Sequence, residues 1–198
     1  MNAYRAVKIV INPAELEADV RRVLKAVAVT EMGWPALDLI ENVVNGQTVQ
    51  AVDFVALRDD EVLGVTKVLM DRPFPVEFVF PEISEKIDDQ RQHGKVVEVA
   101  LTGVAKQHRG DLSVMLSIYR ALYHWSRREG VGTWFSIQER QVTRLYNRLA
   151  MPFVEIASGK FYWCGMSYPC MMSLANGEAI VQKRNPAFWA FLQEEPKE

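Results

Sequence analysis

Residues 96–105 (VVEVALTGVA) constrain the fold more than any other stretch, because both alternating faces of the run are apolar. Successive side chains of a strand point to opposite faces, so a run of this kind belongs to a strand covered on both sides. A sheet with helices on each face supplies that cover. One residue breaks the pattern: Glu98, with Val96, Val97, Val99, Ala100 and Leu101 around it. A carboxyl held there faces a low dielectric, which disfavours its anion and raises its pKa toward the range useful to a general base. Two uses for such a group stand open: a catalytic base, or the structural partner of a buried cation such as Lys67.

Periodicity around this strand predicts the remaining elements. A first helix spans 13–28, with Leu16, Val20, Val23, Leu24 and Val27 on one face, Pro13 in the first turn and Asn12 as cap. A short helical stretch falls at 37–43 and a turn at Asn45-Gly46. Strands at 50–57 and 62–69 are joined by the polar residues 58–61. Pro73, Pro75 and Pro81 make 71–82 an irregular loop or edge strand, and the polar segment 83–94 a short helix. Met115, Ile118, Leu122 and Trp125 form the seam of a helix over 111–129, ended by Gly130 or Gly132. A strand at 133–138 leads to a helix with Val142, Leu145, Tyr146 and Leu149 on one stripe. Closing strands follow at 153–157 and 161–174, the latter interrupted by Pro169, and 185–198 reads as a short amphipathic helix and a solvated tail. With no internal repeat and no linker, residues 1–198 are expected to form one domain, a mixed sheet with helices on both faces.

Several function classes lose support. A formal net charge of −2 over 198 residues gives no global field for nucleic acid. The first twenty residues carry Arg5, Lys8, Glu15, Glu17 and Asp19, so they hold no uncharged signal core, and no stretch approaches the ~18–20 apolar residues of a membrane span. A cytoplasmic protein is the expectation. Cys164 and Cys170, six residues apart on one strand face, are too distant to bridge and have no His nearby, so they read as structural thiols. His93 and His124 have no partners at metal spacing, and no metal is expected.

Other residues carry possible chemistry. The segment QHRGDLS (107–113) leaves the apolar strand and enters the long helix, whose N-terminus offers unpaired N–H groups to an anion. His108 and Arg109 add donors and Gly110 permits close approach, while Asp111 is either a plain helix cap or a competitor for the same N–H groups. Tyr146 is a core tyrosine or an acid able to protonate a leaving thiolate, its phenol being a weaker acid than a thiol. Lys67 shares a face with Leu63, Val65 and Leu69, as a buried partner, a donor to a substrate carbonyl or a snorkelling side chain. Trp34, after Gly33, is a lid over a pocket or a local anchor.

Residues 96–153 resemble the central and C-terminal part of the GNAT (general N-acetyltransferase) superfamily. Gln107-His108-Arg109-Gly110-Asp111-Leu112 is similar to that superfamily's pyrophosphate loop, keeping the Gln and the first Gly but ending in Leu. QVTRLYNRLAMPF resembles its helix ending in Tyr, a turn and Phe. A closer resemblance is to acyl-homoserine-lactone synthases and N-acyl amino acid synthases: Met32-Gly33-Trp34, Leu63-Gly64-Val65-Thr66-Lys67-Val68-Leu69, Phe80-Pro81-Glu82 and Val97-Glu98-Val99 all look like pieces of them. The resemblance implies a three-layer α/β GNAT fold. It implies an acyl group moving from an acyl-carrier-protein or coenzyme A thioester to the amine of a small molecule, by a monomer or homodimer.

Carried over residue by residue, it makes Glu98 the base, the Val99 backbone N–H an oxyanion donor and Tyr146 the acid. The donor would lie along Leu101, Gly103, Gln107, His108, Arg109, Gly110 and Ser113, and Trp34, Lys67 and Phe135 would contact substrate. A long acyl tail is expected among Phe135, Met115 and Met166, since flexible Met-lined space accommodates chains. Alternatives are an acetyl-coenzyme A-dependent N-acetyltransferase and a non-catalytic acyl-binding module. The chain departs from the lactone-forming pattern at Leu101, where an Arg is usual, at Lys67, where the fork of an Arg is lost, and at Asn45 and Thr48, where an acidic pair is usual. Amine recognition must therefore differ, and the altered loop with Asp111 at the helix start suits a carrier-protein thioester better than coenzyme A.

Overall fold

The computed structural model describes residues 7–163 and 165–195. The chain runs through β1 (Lys8–Ile11), a 3-10 turn and α1 (Glu17–Leu24), which continues as a π-helical stretch over Lys25–Glu31. Next come α2 (Leu37–Ile40) and the small hairpin of β2 (Val43–Val44) and β3 (Gln47–Thr48). A long hairpin follows, β4 (Ala51–Arg58) and β5 (Glu61–Leu69), then α3 (Pro75–Val79) and α4 (Ser84–Arg91). The second half contains β6 (Lys95–Val104), α5 (Leu112–Glu129), β7 (Val131–Glu139), α6 (Arg140–Arg148), β8 (Val154–Glu155), β9 (Lys160–Tyr162), β10 (Gly165–Ser173), α7 (Leu174–Arg184) and α8 (Pro186–Gln193).

The main sheet has the order β1-β4-β5-β6-β7-β10-β8, with β9 also on β10. Every neighbouring pair is antiparallel except β6–β7, which is parallel and bridged by α5. One face packs Val55, Val65, Leu69, Leu101 and Phe135 under α1, α2, α3 and α4. The other packs Phe54, Leu63, Val97 and Trp134 under α5, α7 and α8. This is the three-layer mixed architecture that the doubly apolar run demands.

Local chemistry sets the connections. Asp59 and Asp60 take φ 48° and 66°, the left-handed pair that a two-residue hairpin requires. Asp111 caps α5 by accepting from the Ser113 N–H at 3.0 Å, and Gly130, at φ 73°, ends the helix in the left-handed region.

The centre of the sheet is irregular in a way that matters. β6 and β7 pair from Lys95↔Val131 to Glu98↔Phe135 and no further, although both strands continue. On its other edge, β6 slips against β5: Val68 sits opposite Val99 and Lys67 opposite Leu101, which makes Ala100 an extra residue. A bulge of this kind bends its strand. β6 and β7 thus part company immediately after Glu98.

Several expectations are corrected. The proline-rich segment is neither loop nor edge strand at its centre, because Pro75 occupies the first helical turn of α3, where its missing N–H is no loss. α7 had no strong stripe and was not anticipated. α1 proper begins at Glu17, and Asn12 does not cap it; its Oδ1 accepts instead from the Asp53 N–H at 2.7 Å. The segment 161–174 is two strands, β9 and β10, with a turn at Trp163 (φ 56°), whereas Pro169 leaves β10 unbroken opposite Ile137. Cys170 is a buried thiol. Cys164, the terminal residues 1–6 and the tail beyond 195 lie outside the described residues.

Candidate active site

Glu98 is 1% exposed. Its side chain points to the helical face that also holds Leu69 and Phe135, its neighbours in register on β5 and β7. Its Oε2 accepts from the Val76 N–H of α3 at 3.0 Å. Burial pushes its pKa from 4.5 up to about 8, opposed by the Val76 hydrogen bond and reinforced by the nearby Glu77. Glu77 itself is held by Arg72, which also binds Asp88 at 2.7 Å, and it accepts from the Phe74 N–H at 3.2 Å. The unforeseen α3 therefore aims a backbone N–H at the carboxyl and anchors that N–H with an ionic brace.

Where the strands part, Glu98 opens on a cavity of about 140 Å³. Val99, Ala100 and Thr102 from β6 form one wall, and residues 136–139 of β7 another. Trp34, Tyr162 and Trp163 close it with an aromatic rim: Trp34 and Trp163 have centroids 4.9 Å apart, and Tyr162 stacks on Trp163 at 4.5 Å. Tyr146 of α6 lines the same space. Its ring stacks on Phe153 at 4.8 Å, and its hydroxyl is hydrogen-bonded to Tyr119 of α5. Burial pushes the Tyr146 phenol up to about 12, so it keeps its proton at neutral pH. Burial, with Glu98 adding repulsion, also pushes Tyr162 up to about 12.

The sequence-derived candidates fall into groups. Glu98, Val99, Tyr146 and Trp34 share the cavity. Lys67 does not reach it, nor does it pair with Glu98. Only 2% exposed, it donates to Asn42 Oδ1 at 2.6 Å and Asp53 Oδ2 at 3.2 Å, beside a separate polar cavity of about 320 Å³ that Glu17, Arg21 and Glu41 also line. Asp53 Oδ1 lies within ion-pair distance of Lys67, at 3.1 Å, but receives no aligned hydrogen bond. Leu101 is buried in the core under α1 and α2, and Gly103 faces Val27, which a Cβ there would meet at 3.3 Å. Phe135 is buried beside Glu98 without lining the cavity. Nor do the three expected tail residues meet: Met115 packs in the core on the opposite face of the sheet, and Met166 is half exposed.

The loop before α5 is closed by the protein's own carboxylates. Glu61 Oε1 accepts from Gln107 at 3.2 Å and stands 3.1 Å from His108 Nε2. Arg109 pairs with Glu31 at 2.6 Å and donates to the Val104 carbonyl. Asp111 takes both the N–H and the hydroxyl of Ser113 and pairs with Arg58 at 2.9 Å. Gly110 has open space around it, but the donors beside it are engaged.

Sequence reasoning missed Thr102, Tyr119, Tyr162, Trp163 and Pro75. The run Phe161-Tyr162-Trp163 was a usable signal, since three consecutive aromatics beside a strand end are rarely all core. Among the described residues no group of His, Cys, Asp and Glu could hold a metal ion, and no helix is long and apolar enough to cross a membrane.

The mixed sheet with helices on both faces is the GNAT fold, shared with solved structures along most of the chain. Among solved structures, the chain is similar to FeeM, an N-acyl amino acid synthase from uncultured soil microbes: TM-score 0.69 and 12% identity over 94% of this chain and 99% of that one. It is also similar to BjaI, a coenzyme A-dependent acyl-homoserine lactone synthase solved with SAM and isopentyl-CoA (0.65, 14%, 90% and 88%), and to a putative GNAT-family acetyltransferase from Desulfovibrio desulfuricans (0.58, 17%, 85% and 99%). No family model and no curated protein matches the sequence.

Proposed function

We propose that this chain is an N-acyltransferase that moves an acyl group from a thioester to the amine of an amino acid or similar small molecule. One observation carries the reading: a fully buried carboxyl, Glu98, stands where two central strands separate and faces a cavity shared with a protonated phenol. Glu98 takes the amine proton, directly or through one water, as the nitrogen attacks the thioester carbonyl. Beyond Glu98 the backbone of β6 has no partner in β7, and the Val99 N–H is the group proposed to polarise that carbonyl. Tyr146 gives its proton to the departing sulfur. The balance is one amine proton to Glu98 and one phenol proton to the thiol, with water at the cavity mouth returning the first to the second. The solved synthases with this fold, which join acyl groups to amino acids or form acyl-homoserine lactones, support the reading.

The donor proposed is a carrier-bound or pantetheine thioester rather than free coenzyme A. Three carboxylates, Glu61, Glu31 and Asp111, already hold the donors that a pyrophosphate needs, and a pyrophosphate would have to displace them to be bound. The cavity as it stands has the room of roughly five waters. It holds the reacting centre and a few carbons, so a longer tail has to run along the gap between β6 and β7.

The test incubates the protein with acyl thioesters of carrier protein, pantetheine and coenzyme A against a panel of amino acids, following free thiol. Amine-dependent thiol release is expected. Its absence across the panel contradicts the reading.

A further inference from the structure

Tyr146 shares a hydrogen bond with a second buried phenol that the acyl-transfer steps above do not use. The Tyr146 hydroxyl, on α6, is bonded to that of Tyr119 on α5. Tyr119 is 1% exposed and Tyr146 5%. The two tyrosine rings meet edge to face at 5.4 Å and 78°, with the apolar side chains of one core around them. Phe fills the same space without a buried hydroxyl to satisfy, and burying hydroxyls is unfavourable unless each is bonded. Two phenols in contact therefore call for a reason other than packing.

Counting protons supplies it. Each hydroxyl carries one proton and accepts through its oxygen. Two hydroxyls joined by one hydrogen bond hold two protons, so one is left over. With Tyr119 as donor, the proton left over is that of Tyr146, which lines the cavity. Negative charge developing in the cavity favours this arrangement, and two such bonds in series strengthen one another.

We propose that Tyr119 is a positioning residue for acyl transfer: its hydroxyl, donating to that of Tyr146, aims the Tyr146 proton at the departing sulfur and stabilises the phenolate left behind. This rests on the acyltransfer reading above and deepens its acid half. The direction agrees with the acidities, since the Tyr119 hydrogen bond lowers the Tyr146 pKa while Tyr119 itself is held well above its ordinary value by burial and by Tyr146. In the step itself the carbon–sulfur bond breaks, sulfur takes the electron pair and then the Tyr146 proton, and the Tyr146 oxygen becomes an anion accepting from Tyr119. A proton released by Glu98 to cavity water restores it.

The test compares two thioesters of the same acyl group, one of N-acetylcysteamine and one of thiophenol, with the amine found in the panel above. An alkyl thiolate leaves poorly without a proton, and an aryl thiolate leaves readily. Tyr119→Phe is expected to lower kcat about tenfold on the alkyl thioester with KM unchanged, the worth of one hydrogen bond to a charged group, and to lose several-fold less on the aryl one. Equal losses on both thioesters, or losses carried by KM, overturn this inference and leave acyl transfer standing. No turnover of either thioester by the wild-type protein overturns both.

Discussion

Replacing Glu98 by Gln should make the protein more resistant to alkaline conditions than the wild type, by an amount the structure sets. Gln keeps the shape and still accepts from the Val76 N–H through its amide oxygen, but never ionises. In the wild type the folded-state pKa is raised from 4.5 to about 8 by burial. The sign follows: the folded protein holds a proton that the unfolded chain gives up, so the stability contributed by protonated Glu98 is complete below pH 4.5 and is lost as pH rises to 8. The loss runs at about 1.4 kcal/mol per pH unit across that window and levels off above it, for a total on the order of 5 kcal/mol as an upper bound. Glu77 and Tyr162, the other groups that face Glu98, are present in both proteins and cancel in the difference. Urea unfolding of both proteins at half-unit steps from pH 4 to 9.5 measures it. The stability of Glu98→Gln relative to wild type should climb between pH 4.5 and 8 and then stay flat. A difference that does not change with pH across this range would refute the buried-carboxyl argument.

Three further outcomes follow from the same geometry. If ionised Glu98 is the base, kcat/KM for the amine, calculated on the concentration of its unprotonated form, should rise tenfold per pH unit below about 8 and level off above it; a pH profile levelling near 5 contradicts this. Isothermal titration should find coenzyme A bound weakly by the wild type and more tightly by the double variant Glu61→Gln, Glu31→Gln, which frees Gln107, His108 and Arg109; unchanged affinity means that these carboxylates do not guard the loop. Lys67→Met should destabilise the fold by roughly 1–3 kcal/mol in thermal or urea unfolding, because Asp53 and Asn42 lose the cation they were turned toward. A neutral or stabilising effect would mean that solvent already satisfies Asp53.

Much of this was legible in the chain because it depends on alternation and helical spacing. The run around Glu98 announced a strand covered on both faces, and Asp111 and Gly130 marked the ends of α5. Glu98 and Tyr146 were visible as a charge and a hydroxyl in apolar company. What stayed hidden depends on through-space neighbours. Lys67 and Glu98 are both on one face, two residues out of register across the bulge at Ala100, and nothing in their spacing says that Asp53, from the other side of β5, takes the lysine. The helix at Pro75 was masked by prolines whose usual meaning is a break, although Pro at a first turn means the opposite. Met115, Met166 and Phe135 were grouped by residue type alone, and the sheet puts Met115 and Phe135 in different cores. The phenol pair escaped because Tyr119 looks ordinary where it stands in sequence.

The account turns on whether the Glu98 carboxylate removes the amine proton. Thiol release from a saturating acyl thioester and amine at pH 8.5, measured with wild type and Glu98→Gln after calorimetry has shown equal thioester binding, tests that most directly. The account predicts a fall in kcat of about a hundredfold or more. Equal rates in the two proteins would contradict it.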